Sequence, residues 1–223
     1  EHLFGTDGYG RDIFARVVHG SRVSLMIGLS TTIFSLVVGG LLGAAAGYYG
    51  GKVDDIIMRA CDIVMSIPGI LLALAIIAAL GASTMNLLIA ITISSVPGSV
   101  RLVRSTILTV VEQDFIEAAR SYGSSDMRII VKYILPNAVG PIIVNTTMSI
   151  ASMILSAAGL SFIGMGIQPP QPEWGAMLSE ARQYMTTSPY MLYFPGIAIV
   201  MTALSLNLIG DGLRDALDPK LKD

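Results

Sequence analysis

The residue types that carry out chemistry are sparse in this sequence and are not spaced for catalysis. The string closest to a phosphate-binding loop, residues 50–53, reads Gly-Gly-Lys-Val and lacks the first glycine and the final Ser or Thr of that motif. His2 and His19 have no metal-ligating residue at a useful spacing, and no serine stands in a nucleophile elbow. We therefore predict no catalytic residue, no metal site and no cofactor within this chain.

Neutral polar side chains are the hydrogen-bonding groups found along the long apolar stretches. Such groups suit either hydrogen bonds between helices or the lining of a path for a neutral or zwitterionic solute, and both roles stay open. The stretch centres carry no ionisable group, which disfavours a proton-driven carrier, although a sodium site built from carbonyls is compatible with them. Five residues are candidates for a solute path: Ser94, Asn145, Thr146, Ser149 and Asn207.

The stretches that hold these candidates are typical of membrane-spanning helices. Hydrophobic residues make up 53% of the 223 residues and charged residues 13%, against about 25% charged in a soluble domain. A run of more than about 18 apolar residues indicates a span, and four runs carry no charge at all: 23–51, 63–100, 133–172 and 183–210. The second run is too long for one crossing and contains a turn signal at 81–84. We predict five spans, at about 24–47, 58–80, 86–110, 139–163 and 191–210, with Arg101 and Arg104 near the end of the third.

The distribution of basic residues predicts how the spans are oriented. Ten of the 14 Lys and Arg residues lie on the side that holds 48–62, 98–138 and the C-terminus, and the positive-inside rule makes that side cytoplasmic. Residue 1 is then outside, and no cleavable signal pattern precedes the first span. We therefore expect one further span upstream of residue 1. The net charge of −2 argues against nucleic acid as a partner.

The segment between the third and fourth predicted spans has the pattern of two short helices joined by a turn. The stretch 117–120, Glu-Ala-Ala-Arg, favours a helix, and Gly123 stands where a helix C-cap is expected. A serine at 124 or 125 is suited to cap the next helix, which Pro136 is expected to end. This cytoplasmic helix–turn–helix is suited to docking in a partner's groove, which the small side chains of the two alanines would allow it to enter closely.

The same segment resembles the EAA loop of ABC-importer permeases. Glu117-Ala118-Ala119 is followed by Gly123, four residues after the last alanine, and by Leu135-Pro136 at the end. The family pattern has isoleucine two residues before that leucine, where this chain has Tyr133. Through this resemblance, seven residues are identified as coupling the permease to its ATPase: Glu117, Ala118, Ala119, Arg120, Gly123, Leu135 and Pro136.

Further strings extend the resemblance over all 223 residues. They are similar to the second permease subunit of dipeptide and oligopeptide importers, a branch that also includes nickel and glutathione importers: Gly5-Thr6-Asp7 with Gly10-Arg11-Asp12, Met58-Arg59 with Asp62 and Pro68, 168–175, and 210–219. The resemblance implies an all-α polytopic protein with the type I ABC-importer transmembrane fold. Residues 1–223 would form one domain, with an external segment at 1–23, spans and a coupling loop of about 112–137 within 24–210, and a cytoplasmic tail at 211–223.

The resemblance also implies what this chain does and with which partners. It would form half of an ATP-driven translocation path for peptides, with nickel or another metal chelate, or glutathione, as the alternative solute. A second, different permease subunit would complete the path in the bacterial cytoplasmic (inner) membrane. Two ATPase subunits would bind ATP and Mg²⁺, an external binding protein would deliver the solute, and this chain would hydrolyse nothing. A self-contained channel or secondary carrier is a distant alternative, disfavoured by the docking loop and the neutral spans.

Two other features have predicted structural roles. Gly39, Gly43, Gly47 and Gly51 recur every four residues and predict one helix face that another helix approaches closely. The segment around 168–174 is either an external lid packed at the membrane interface, where Trp is favoured, or a contact for the binding protein. Its candidate residues are Gln168, Pro170, Glu173 and Trp174.

Overall fold

The computed structural model describes residues 2–217, which form helices joined by short connections. Glu1 and residues 218–223 lie outside the described residues, and with them Pro219 and the end of the predicted tail. The predicted all-helical class is confirmed, with no β-strand between residues 2 and 217. In chain order the helices are α1 (Ile13–Tyr49), α2 (Gly51–Met65), α3 (Gly69–Leu80), α4 (Thr84–Val111), α5 (Asp114–Ser121), α6 (Asp126–Ile129), a π-helical turn (Ile130–Ile134), α7 (Leu135–Phe162), α8 (Trp174–Ala181), a 3₁₀ turn (Arg182–Tyr184) and α9 (Tyr190–Leu217).

Helix α1 packs with its small and hydroxyl-bearing side chains inward and its large apolar side chains outward. Thr31, Thr32 and Ser35 are buried, whereas Phe34 and Leu41 are 59% and 71% exposed. In lipid, the acyl chains are as apolar as leucine, so helices associate through small residues and hydrogen bonds instead. The burial pattern of α1 is therefore that of a helix solvated by lipid.

Glycines bring α1 and α4 together, as the spacing of four predicts. A Cβ added at Gly39, Gly43 or Gly47 would lie 2.5, 2.6 or 2.9 Å from an atom of α4. The residue numbers at these contacts increase along both helices, from Gly39 with Ser99 to Gly47 with Ile107, so α1 and α4 run in the same direction. Gly51 does not belong to this face, because it has φ +51°, begins α2, and has nothing within 4 Å of an added Cβ. The stripe is therefore three glycines long.

The second predicted span, 58–80, falls on two helices with a bend between them. Helices α2 and α3 are together apolar enough to cross a membrane, but they are bent by 77° at the break between them. Pro68 lies at this break as the N-cap residue of α3, where its ring and missing N–H prevent the helix from continuing. Four helices are long and apolar enough to span on their own, Ile13–Tyr49, Thr84–Val111, Asp126–Phe162 and Tyr190–Leu217, and the broken pair, counted as one span, brings the number to the five predicted.

The prediction that Pro136 ends the second arm of the loop is wrong. Helix α6 continues through the π-helical turn into α7, so Asp126–Phe162 is one helical path and the fourth span begins well before residue 139. The N–H of Leu135 donates to the carbonyl of Ile130, five residues earlier. Pro136 lies in the first turn of α7, where it has no N–H to leave unsatisfied. The wide turn therefore accommodates the proline without breaking the helix.

The connections gather at two ends of the bundle. At one end, Phe4 stacks on Phe194 with ring centroids 3.8 Å apart, and the hydroxyl of Tyr190 donates to the carbonyl of Thr6. At the other end, Tyr48 at the close of α1 contacts the start of α6. These contacts place the start of the chain beside the start of α9, and the end of α1 beside the start of α6.

Candidate coupling loop and solute path

The EAA loop, residues 112–137, lies against the membrane helices along one face only. Ile116 and Ala119 of α5 are buried in a cluster formed with α1, α4 and α7, whereas Glu117, Ala118 and Arg120 are exposed. The two alanines of the motif therefore differ in their surroundings. Ala118 is available to a partner's groove, and Ala119 packs inside this chain.

Gly123 closes α5 with a left-handed turn. Its N–H donates to the carbonyl of Arg120 at 2.9 Å, and the N–H of Ser124 donates to the carbonyl of Ala119 at 3.1 Å, which together satisfy the end of the helix. Gly123 has φ +73°, a conformation that costs a residue with a Cβ about 1–2 kcal/mol. Nothing lies within 4 Å of an added Cβ. The backbone conformation, and not a lack of space, therefore requires glycine here.

Two contacts fix the turn to the end of α1. The hydroxyl of Tyr48 donates to the carboxylate of Asp126 at 2.7 Å, and the guanidinium of Arg120 lies 5.4 Å from the centre of the Tyr48 ring. Ser125 occupies the N-cap position of α6, without a side-chain hydrogen bond. Sequence reasoning missed Tyr48 because it precedes Asp126 by 78 residues.

The outward surface of the loop carries large apolar side chains. Tyr122 is 90% exposed and Met127 is 70% exposed. A cluster of exposed apolar residues on a rigid element marks an interaction surface. Six exposed residues form it: Phe115, Tyr122, Met127, Val131, Leu135 and Pro136.

Ser94 lies beside a cavity of about 210 Å³ between α3, α4 and α7. Ser95 and Ser156 place two more serines in its wall, and Gly69 adds the start of α3. The Ser94 hydroxyl donates to carbonyls of its own helix. Its oxygen keeps its capacity to accept a hydrogen bond from a solute.

Asn145 lies beside a different cavity of about 710 Å³, whose polar wall residues are Asn137, Asn145 and Arg214. Three of the predicted path residues line neither cavity: Thr146, Ser149 and Asn207. The five candidates therefore do not converge on one site. Between residues 2 and 217, no group of three His, Cys, Asp or Glu residues is placed to hold a metal ion.

The predicted lid residues divide into an exposed pair and a buried pair. Gln168 and Pro170 are exposed, whereas Glu173 and Trp174 are 1% and 3% exposed. Burial of Glu173 and Trp174 removes both from direct contact with another protein. For Gln168 and Pro170, contact with a binding protein stays a prediction.

Glu173 and Trp174 instead attach α8 to α1. The Glu173 carboxylate accepts hydrogen bonds from the N–H groups of residues 175 and 176 at 2.9 and 2.8 Å, which caps α8, and from the Ser24 hydroxyl at 3.2 Å. The Trp174 indole N–H donates to the carbonyl of Val17 at 3.0 Å. These contacts attach to α1 the second part of a region that we call the N-terminal cap, residues 2–16 and 173–184.

Four charged residues form a network inside the N-terminal cap. Arg11 contacts Asp7 at 2.6 Å and Glu180 at 2.8 Å, and Arg16 contacts Glu180 at 2.8 Å and also pairs with Asp7. Burial acts to raise the pKa of Asp7, but hydrogen bonds from Arg11 and Arg16 outweigh it and hold that pKa below its ordinary value. Only the spacing of Asp7 and Arg11 is visible in the sequence, because Glu180 is 169 residues from Arg11.

Two further ion pairs join α2 to α4, and sequence reasoning missed both. Arg104 holds Asp54 through two hydrogen bonds of 2.5 Å, with side chains 29% and 18% exposed. Arg101 donates one hydrogen bond to Asp62 at 2.5 Å, with side chains 44% and 60% exposed. The sequence does not show that Asp62 lies near Arg101, because their distance depends on how α2 crosses α4.

The chain is similar to known permeases over its whole length. It is 51% identical over 222 residues to the dipeptide transport system permease protein DppC of Alkalihalophilus pseudofirmus, covering 100% of this chain and 73% of that protein. It is 49% identical over 221 residues to the glutathione transport system permease protein GsiD of Pectobacterium atrosepticum, covering 99% of this chain and 73% of that protein. The Escherichia coli GsiD protein is 52% identical over 222 residues with the same coverage as DppC.

Solved structures show the same fold at low sequence identity. A structure of the methionine ABC transporter MetNI in an inward-facing conformation superposes with a TM-score of 0.76 and 20% identity, covering 92% of this chain and 97% of that chain. An amino acid ABC transporter superposes with a TM-score of 0.68 and 17% identity, covering 93% and 95%. Residues 39–223 match the family described as binding-protein-dependent transport system inner membrane component. The chain therefore belongs to that family, and it is a transmembrane permease of the ABC-importer type rather than an enzyme.

Proposed function

We propose that this permease forms half of a path through which an ATP-driven importer carries dipeptides or glutathione. The observation that carries the proposal is identity of about half of all residues, over the full chain, to permeases of both solutes. The cavity beside Ser94 supports a small polar solute, because its wall combines serine hydroxyls with apolar side chains. A nickel or other metal chelate, the alternative from the family resemblance, gains no comparable support.

Coupling to ATP hydrolysis is assigned to the EAA loop. Its outward surface offers exposed apolar side chains, and Glu117, Ala118 and Arg120 lie on the exposed face of α5. The loop continues into α7 without a break, so a displacement of the loop is passed directly to a membrane-spanning helix. ATP and Mg²⁺ belong to two partner ATPase subunits. A second permease subunit and an external binding protein complete the assembly.

The orientation follows from the basic residues that gather at the EAA-loop end. That end is cytoplasmic in the proposed assembly, together with the C-terminus, and the N-terminal cap is external. Single cysteines in a Cys61-free background, placed at 174 and 222, test this in intact cells. Because Trp174 is buried, a third cysteine at exposed Gln168 serves as the positive control for the external side. Labelling at 222 and not at 168 by an impermeant reagent would reverse the orientation.

Transport by the reconstituted importer tests the solute. The permease, purified with its own partner subunits and binding protein, is placed in proteoliposomes, and uptake of labelled dialanine, glutathione and a nickel chelate is measured with ATP. We expect ATP-dependent uptake of dialanine, glutathione or both. Uptake of the nickel chelate alone would contradict the proposal.

A further inference from the structure

Arg101 lies much deeper among the membrane helices than its position near the end of a span indicates. On α1, Gly39 packs against Ser99 and Gly43 against Val100, so Arg101 is level with about residue 41. The charge-free run that includes most of α1, residues 23–51, has its midpoint at residue 37. At about 1.5 Å per residue, Arg101 is roughly 6 Å from the level of that midpoint, well inside a hydrocarbon core of about 30 Å.

An exposed ion pair at this depth identifies the side of the molecule on which it lies. The Arg101 and Asp62 side chains are 44% and 60% exposed in the isolated chain. Charged groups at membrane depth are unfavourable in lipid and face a bundle interior or a water-filled cavity. The surface that carries this pair therefore faces the interior of the assembled importer and not the acyl chains.

The pair belongs to a polar face of α4 that leads to the serine-lined cavity. Ser94, Gly98, Arg101 and Ser105 recur at spacings of three and four residues and so lie on one side of the helix. Gly98, Arg101 and Ser105 are exposed, and Ser94 lines the cavity. Two helical turns, about 10 Å, separate Ser94 from Arg101.

The geometry of the pair leaves both groups able to bind a further ligand. Among residues 2–217, one hydrogen bond joins the two side chains, from Arg101 Nη2 to Asp62 Oδ1. The second carboxylate oxygen and the remaining guanidinium N–H groups form no other side-chain hydrogen bond in that range. The neighbouring Arg104 and Asp54 differ, because two hydrogen bonds occupy both carboxylate oxygens and both side chains are less exposed.

We propose that Asp62 and Arg101 form a binding site in the translocation path for the charged ends of a zwitterionic solute. The guanidinium binds the solute's carboxylate, the Asp62 carboxylate binds its ammonium group, and the two protein groups pair with each other when the path is empty. This inference rests on the proposed peptide or glutathione transport. It identifies the charged ends of those solutes as the groups that the permease itself binds.

The test uses the complete importer in proteoliposomes with labelled dialanine. Asp62→Asn and Arg101→Gln should each lower uptake about ten- to hundredfold, as expected for loss of a charge-assisted hydrogen bond, while complex yield stays normal. The matched control is Arg104→Gln, which should lower the thermal stability of the complex and leave uptake per complex unchanged. Wild-type uptake of dialanine by both Asp62→Asn and Arg101→Gln overturns the inference and leaves the proposed function intact.

A charge exchange separates solute binding from a merely structural ion pair. The double variant Asp62→Arg with Arg101→Asp keeps the attraction between α2 and α4. It exchanges the positions of the positive and negative groups, so a solute delivered in the same orientation meets a like charge at each end. We expect no recovery of dialanine uptake, and recovery to the wild-type level would show that the pair only braces the helices.

Dialanine amide, which lacks the carboxylate, should be insensitive to Arg101→Gln. Equal losses for dialanine and its amide overturn the assignment, and no wild-type uptake of either peptide or of glutathione removes the proposed function together with the inference.

Discussion

The N-terminal cap and the EAA loop lie at opposite ends of one bundle and differ in how far their side chains are buried. In the cap, the charged side chains pair with one another and Trp174 is almost fully buried. In the loop, Tyr122 and Met127 extend from the surface with most of their area exposed. The cap packs its charged groups against one another within this chain, whereas the loop exposes apolar side chains of the kind that mark an interaction surface. This difference separates an end whose side chains are packed within the chain from an end that leaves an apolar surface exposed.

The two regions share one support, helix α1. The cap is attached near its start through Ser24 and Val17, and the loop is attached at its end through Tyr48. Between them, α1 is held to α4 by the three glycines. A change at the glycines should affect both ends, while a change at either end should affect that end alone.

The largest effect is expected from Gly43→Leu. An added Cβ lies 2.6 Å from a backbone oxygen of α4, so α1 and α4 must separate, at a cost of about 3 kcal/mol or more. We expect little intact complex after purification in detergent. The matched control is Gly40→Leu, three residues earlier on α1, where nothing lies within 4 Å of an added Cβ. Equal yields of the two variants would show that the stripe does not hold the two ends together.

Glu173→Ala should damage the cap by a smaller amount. It removes the acceptor for two N–H groups of α8 and for the Ser24 hydroxyl in a buried site, which costs about 2–3 kcal/mol. Thermal unfolding of the purified complex measures the loss, and Glu173→Gln, which keeps one acceptor oxygen, should lose less. ATPase subunits should stay bound in both variants. Their release by Glu173→Ala would contradict the separation of cap and loop.

Gly123→Val should affect the loop and leave the cap intact. A β-branched residue at φ +73° costs about 1–2 kcal/mol and misdirects the second arm of the loop. We expect normal insertion and poor solute uptake, with ATPase subunits either lost or hydrolysing ATP without transport. Gly123→Asn is the control, because asparagine tolerates the left-handed region. Wild-type uptake and subunit content in the valine variant would remove the coupling role from this turn.

The smallest effect is the pH dependence of the cap. The pKa of Asp7 is lower in the folded state than in the unfolded state, so its stabilisation is complete above the unfolded pKa of about 3.9 and is lost as the pH falls through the folded value. The thermal midpoint of the wild type should therefore fall more steeply below pH 4 than that of Asp7→Asn. Parallel curves for the two proteins would show that the network does not depend on this charge.

Much of the fold was predictable because it depends on local sequence. Runs without charge predicted apolar helices, the spacing of four predicted the glycine contact, and Gly123 predicted the helix end that its hydrogen bonds confirm. Pro68 and Pro136 were harder. Both remove an N–H, yet one marks a bend of 77° and the other lies in the first turn of a continuous helix. The outcome depends on whether the neighbouring turn can widen, which a proline alone does not reveal.

The sequence by itself determined that this chain is a bundle of membrane helices with a short helix–turn–helix between two of them, because hydrophobicity, glycine spacing and turn residues act over a few neighbours. The tertiary structure alone decided which charges meet. Glu180 reaches Arg11, Asp62 reaches Arg101 and Asp126 reaches Tyr48 across separations of 169, 39 and 78 residues. Such pairings depend on how helices cross, and the residues next to a charged side chain in the sequence do not indicate its partner. For the same physical reason, the sequence did not show that Arg101 is level with about residue 41 of α1.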